Sequence, residues 1–312
     1  MRTTMVNRVA AVVAAAVLGV AGLTGCATSA SVTNSVSSAQ PCPVGPLSVV
    51  ATTNVWASVV DQLSGQCANI RTIVSSPSAN PHDFAVTAAT SAAFADAELV
   101  VQNGLGYDAW ADKIEASLGQ ACPPVLDLGQ TVGLTPGDNP HIWYSPTYVQ
   151  QAATAITKAL QDALPAAADY FAAQARSFAA ALTPYLDEVA TIRAKYSGTV
   201  IGATETLFVY MAAATGLKLS TPIGFMLAQA NDTDPGAADV ATFRTQLSDG
   251  TDKVLIYNAQ TEGGLPDAMM ATARQNNVPV VDVTETLTPA GATFQAWQLA
   301  QLQTLYTALG GG

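Results

Sequence analysis

Residues 166–198 read AAADYFAAQARSFAAALTPYLDEVATIRAKYSG, and apart from Pro184 they contain no turn signal. Tyr170, Ala173, Phe178, Leu182, Tyr185 and Val189 recur roughly every three or four positions, as on one buried face of an α-helix. Thirty residues of helix extend about 45 Å, which is more than a local connection needs. The segment is therefore expected to be a rod between two lobes. Pro184 should kink it, or split it into two helices that meet there.

The chain on either side supports that reading. Before the rod, LSVVATT, NIRTIVSS, ELVVQNG and PPVLDLG are short strand candidates. WASVVDQL, TAATSAAFADA and YDAWADKIEASLG alternate with them as helices, and a further helix runs from about Pro146 to Leu164. After the rod, GTVIGATE, DKVLIYNAQ and VPVVDVTE read as strands. The helices among them are LFVYMAAATG, ADVATFRTQLSDG, GLPDAMMATARQNN and the closing FQAWQLAQLQTLYTALG. Short strands alternating with longer helices imply parallel sheets covered on both faces. The expected fold class is α/β: two lobes of parallel-sheet βα units joined by one long helix. The first lobe is expected over residues 46–165, the linking helix over 166–197 and the second lobe over 198–312.

The N-terminus has a different character. Arg2 and Arg8 precede the apolar run VAAVVAAAVLGVAG, which ends in LTGC. The run is too short, and wrongly flanked, for a membrane span, so residues 1–25 read as a secretory signal peptide. LTGC resembles the bacterial lipobox, which makes Cys26 the expected lipidated first residue and places the protein on the outer face of the cell membrane. The nearly chargeless, Ser/Thr/Ala-rich stretch behind it reads as a tether within residues 26–45. An exported location permits a disulfide among Cys42, Cys67 and Cys122, and Cys42–Cys67 is the pairing expected.

Composition limits the partners. The chain has 12 Lys+Arg against 23 Asp+Glu, a sequence pI of about 4.4 and only 11% charged residues. A surface of that sign excludes a phosphate-tracking role, so no nucleic-acid partner is expected. It also attracts cations mildly.

The only two histidines, His82 and His141, both follow Asn-Pro, in ANPHDF and DNPHIW. They fall in loops after the second and fourth strands, near the carboxyl ends where α/β sheets bind ligands. Proline fixes the approach of the chain to each ring. Paired imidazoles suggest a metal, and a metal needs further ligands. Glu205, at the end of the first strand of the second lobe, and Asp282, in VPVVDVTE, are topologically suitable. Asp83, Asp138, Asp232, Asp234 and Glu262 are loop acids that fit as well.

NPHDFAVTAAT, AELVVQNGLGYDAWADKI, DNPHIWYSP, the rod, TETLFVYMAAATGL and VPVVDVTETL occur in an order that resembles one family. These are the metal-binding solute-binding lipoproteins of bacterial ABC importers for zinc and manganese, the cluster A-I type. The resemblance implies two lobes bridged by a rigid helix, with a metal held between them by four side chains. By position these match His82, His141, Glu205 and Asp282. A glutamate where most zinc carriers have a third histidine implies Mn²⁺ as the transported ion, with Zn²⁺ and Fe²⁺ as alternatives. It also implies a monomeric receptor that delivers its ion to an ABC permease and catalyses nothing. A metal-dependent hydrolase would need an open coordination position and a separate general base, and no H-E-x-x-H is present. A surface adhesin with a structural metal is the remaining alternative.

Overall fold

The structure, a computed structural model, describes residues 41–76, 81–261 and 263–311. The expectations for residues 1–40, including the signal peptide and Cys26, and for Glu262 lie outside the described residues.

The first half contains β1 (Leu47–Thr53), α1 (Asn54–Ser64), β2 (Ala68–Val74), α2 (Ala88–Ala95), β3 (Leu99–Gln102) and α3 (Ala109–Leu118). β4 (Val125–Asp127), the short α4 (Leu128–Thr131) and α5 (Pro146–Ala163) follow. α6 (Ala168–Tyr196) is the linking helix. The second half contains β5 (Val200–Ala203), α7 (Val209–Thr215), β6 (Lys218–Leu219), α8 (Ile223–Ala230) and α9 (Ala237–Ser248). It closes with β7 (Leu255–Asn258), α10 (Gly264–Gln275), β8 (Val280–Val283) and α11 (Phe294–Ala308). Each lobe has a four-stranded sheet, in the orders β2-β1-β3-β4 and β6-β5-β7-β8, and every pairing is parallel. Both sheets thus change winding direction beside their first strand, which opens a crevice at the carboxyl ends.

Pro184 does not break the rod. α6 runs unbroken through it for 29 residues, or about 44 Å. Pro184, like Ala180 one turn earlier, lies on the solvent face, where water can satisfy the carbonyl that loses its N–H partner. The opposite face buries Tyr170, Phe171, Phe178, Leu182, Tyr185, Val189 and Ile192. These pack into one apolar core with α1, α5 and α11 and with residues of both sheets. Each such aliphatic or aromatic side chain contributes about 2 kcal/mol by leaving water. Polar contacts pin the rod at both ends. Gln66 N–H donates to Tyr170 Oη at 3.0 Å, and Arg193 Nη1 donates to the Ala214 carbonyl at 2.9 Å, near the end of α7. Smaller apolar clusters fill the outer sheet faces, around Phe94 and Trp110 in the first lobe and Phe225 and Phe243 in the second.

Two elements of the second lobe, β6 and α8, have no counterpart in the sequence reading. β6 is only two residues long, and α8 follows directly on Pro222, so neither leaves a usable period. Cys42 and Cys67 form a disulfide with Cα atoms 5.0 Å apart, and Cys122 is free. The bond closes a loop of 25 residues onto the first lobe. Reduction is expected to lower unfolding stability by about 3 kcal/mol. Denaturant melts with and without reductant measure this, and coincident curves would show that the bridge contributes nothing.

Candidate metal centre

The centre is assembled from loops at the carboxyl ends of strands in both lobes. His82 follows β2, His141 follows β4, Glu205 follows β5 and Glu285 follows β8. One ligand-capable atom from each of His82, His141 and Glu285 lies within 4.8 Å of the other two. Neighbouring ligands about 2.1 Å from one tetrahedral ion stand about 3.4 Å apart, so an inward shift of about an ångström brings the triad onto a single ion. Glu205 is buried beside it, 5% exposed, and its charge acts on Glu285.

The first-lobe loops are held by a polar scaffold. β3 ends in the turn NGLGYD. Gly104 has φ +76°, and a Cβ there would overlap the Asp127 carboxylate, so only glycine suits the position. The buried Asp108 carboxylate accepts from Asn103 N–H (2.8 Å), Gly104 N–H (2.9 Å) and Thr52 Oγ1 (2.6 Å). Burial raises its pKa to about 6, against the pull of those hydrogen bonds. The locked turn aims Tyr107 at the site. Its ring meets His82 edge-on at 4.7 Å between centroids, and its hydroxyl donates to Glu285 Oε2 at 3.3 Å. Asn103 Oδ1 accepts from Trp56 Nε1 at 2.9 Å, and its Nδ2 donates to the Pro140 carbonyl at 3.0 Å, tying this turn to the His141 loop.

His141 is 2% exposed. Its Nδ1 lies 2.8 Å from Asn139 Oδ1, which also accepts from His141 N–H at 3.0 Å. An amide oxygen can only accept, so Nδ1 carries the hydrogen and Nε2 keeps its lone pair. Burial, and secondarily His82, lower the His141 pKa to about 3. Burial also lowers that of His82, opposed by Asp232 and Asp83. Both rings are therefore neutral nitrogen donors at physiological pH. Trp143 stacks obliquely on Tyr107 at 4.7 Å and borders His141, whereas Phe84 packs away from the site on Trp110.

The second lobe supplies oxygen. Glu285 Oε1 accepts from Asn258 Nδ2 at 2.8 Å, and Glu205 Oε1 accepts from Thr261 Oγ1 at 2.8 Å. None of these donors is a lysine or arginine. Burial raises the Glu205 pKa. Burial first, and then the neighbouring charge of Glu205, raise that of Glu285 to about 8. Gln260 spans the two loops, its Nε2 donating to Thr286 Oγ1 at 2.6 Å and its Oε1 accepting from Thr286 N–H at 2.9 Å.

Asp282 does not join the others. β8 is an edge strand whose alternation sends Val281 and Val283 into the core and leaves Asp282 exposed on the other face. Glu285, of the same parity as the two buried valines and beyond the strand end, is the acid that lies with the two histidines. That parity was the available signal, and VPVVDVTE contains both acids. Of the other loop acids, Asp232 acts electrostatically on His82, Glu205 and Glu285 from an exposed position.

Known proteins resemble this chain in sequence and fold. Yersinia pestis iron-binding protein YfeA is 26% identical over 184 residues, which is 54% of this chain and 57% of that protein. A Thermotoga maritima protein is 25% identical over 177 residues, 55% of this chain and 63% of that one. The chain thus matches about three fifths of the length of these curated relatives. Among solved structures, the laminin-binding protein Lmb of Streptococcus agalactiae, described as having adhesin and metal transporting activity, superposes with TM-score 0.70 at 21% identity. The alignment covers 84% of this chain and 99% of that one. The periplasmic zinc binding protein TroA of Treponema pallidum superposes with TM-score 0.69 at 17% identity, over 85% and 99% of the two chains. At these identities the likeness establishes a shared fold. The model of the family described as zinc-uptake complex component A, periplasmic, spans residues 49–308, from the first strand through the last helix. The chain belongs to that family, ZnuA.

Proposed function

We propose that this protein is an extracytoplasmic receptor that captures a divalent metal ion between its lobes and delivers it to an ABC permease. His82, His141, Glu285 and Glu205 are the proposed ligands. One observation supports the reading above all: two imidazoles and the Glu285 carboxylate converge with Glu205 buried beside them, and among the described residues no lysine or arginine hydrogen-bonds to either acid. Burying carboxylates without a counter-charge is costly, and a divalent cation is the partner that removes the cost. Family membership favours transport over catalysis. Lipidation at Cys26 would hold the receptor on the outer face of the membrane, beside the permease.

The cargo we favour is Mn²⁺, because two carboxylates make a harder site than three imidazoles and one carboxylate would. A relative from candidatus liberibacter asiaticus with this fold is described as Mn-bound, and TroA as zinc binding. Glu205→His is expected to shift the Zn²⁺/Mn²⁺ preference about tenfold toward zinc. Competition titration reads that ratio, and an unchanged ratio would remove Glu205 from the ligand set. The receptor reading itself predicts one ion per chain in calorimetric titration of metal-stripped protein. Failure to bind any divalent ion below millimolar concentration would overturn it.

A further inference from the structure

We propose that Asn139 and Tyr144 form a pair of cross-lobe latches that set how fast the bound ion leaves. The inference rests on the receptor reading above and concerns the regulation of that site. Both residues belong to the turn around His141, in the first lobe. Asn139 Nδ2 donates to the Thr206 carbonyl at 2.8 Å, and Thr206 is the residue after Glu205. Tyr144 Oη lies 2.8 Å from the Thr284 carbonyl, and Thr284 is the residue before Glu285. One histidine turn therefore grips, in the opposite lobe, the main chain beside each carboxylate.

The two grips are built into separate networks. Tyr210 Oη, from α7, donates to the Asn139 carbonyl at 2.9 Å, which adds a second bond across the same seam. Gln301 Oε1 lies 2.9 Å from Tyr144 Oη and accepts from Thr284 N–H at 2.9 Å, so the tyrosine proton is shared between two acceptors of the second lobe. Trp297 Nε1 donates to Thr284 Oγ1 at 2.9 Å and fixes the receiving peptide from α11. Tyr144 is fully buried, its ring edge-on to Phe208 and Trp297, so its hydroxyl has little freedom to seek water.

The consequence is mechanical. Parting the lobes separates His141 from both carboxylates and breaks both grips in the same motion. Asn139 is doubly placed, because its Oδ1 orients the His141 ring while its Nδ2 holds the other lobe. Ring orientation and lobe closure thus depend on one amide. Both are positioning residues, since neither is within the ligand group itself.

Two substitutions isolate the latch. Tyr144→Phe removes only the hydroxyl. Asn139→Asp keeps an acceptor for the His141 ring and loses the donor to Thr206. Each is expected to speed Co²⁺ release into excess chelator about five- to tenfold, and in Tyr144→Phe, which leaves the His141 ring and its partner untouched, the intensity of the cobalt d–d bands stays that of the unaltered protein. Asn139→Ala is expected to speed release and also to change those bands, because the ring loses its partner. Wild-type release rates in Tyr144→Phe and Asn139→Asp would overturn the latch, and so would altered bands in Tyr144→Phe. The receptor reading has a separate control. If His141→Ala bound Co²⁺ with wild-type bands, the ligand assignment would fail, whatever the latch variants did.

Discussion

Glu285→Gln is expected to weaken Mn²⁺ binding about a hundredfold to a thousandfold, while Asp282→Asn leaves it within about twofold. The first figure corresponds to about 3–4 kcal/mol, the lower part of the cost of removing one partner of a desolvated charge pair. Glutamine preserves the shape of the side chain and can still meet Asn258 and Tyr107 through its amide. What it removes is the charge beside the two imidazoles. Asp282 has no such position, since its side chain stands in solvent on the far face of an edge strand. Isothermal titration of both variants separates the two acids of VPVVDVTE. A large loss in Asp282→Asn with none in Glu285→Gln would reverse the assignment and require β8 to sit one residue out of register.

Metal affinity is expected to fall about tenfold for each pH unit below about 8, the value to which the Glu285 carboxyl is raised by burial and by Glu205. In the ion-free protein that carboxyl holds a proton at pH 7. An incoming ion must displace it, so acid competes with metal and the apparent affinity levels off above the raised pKa. The histidines do not add to this slope near neutrality, because both are shifted below their ordinary 6.5. Calorimetry in two buffers of different ionisation enthalpy should count about one proton released per ion at pH 7. Affinity that does not change between pH 6 and 7.5 would contradict the account. The same linkage acts on folding. A raised carboxyl binds its proton more tightly in the native state than in the unfolded one. It therefore costs the ion-free protein stability as pH climbs from its ordinary 4.5 through about 8. Bound metal should remove most of that loss.

Much of the architecture is legible in the residues. The apolar stripe from Tyr170 to Val189 specifies the rod, and the flanking βα alternation specifies parallel sheets on either side. The two Asn-Pro-His triplets point to the imidazoles because so few histidines exist to choose from. Pro184 was harder to read, since its effect depends on which face of the helix it occupies, and that follows only from packing. The fourth ligand of the expected set, Asp282, was hard to read for a related reason. Asp282 and Glu285 are three residues apart, and choosing between them needs the residue at which β8 ends. A four-residue strand offers too little alternation to place that end, although the parity of Val281, Val283 and Glu285 is consistent with the outcome. The contacts of Tyr107, Asn258 and Tyr144 could not be read from the sequence. Their roles come from contacts across 178, 27 and 140 positions of chain, which only the folded arrangement brings together.

The most direct test is anomalous diffraction from crystals grown with Mn²⁺, using data collected on either side of the manganese absorption edge. The account predicts one strong peak in the crevice, bounded by His82, His141 and Glu285, with Glu205 completing the shell. A peak at the exposed face of β8 beside Asp282, or a crevice with no anomalous signal in protein shown to contain manganese, would contradict it.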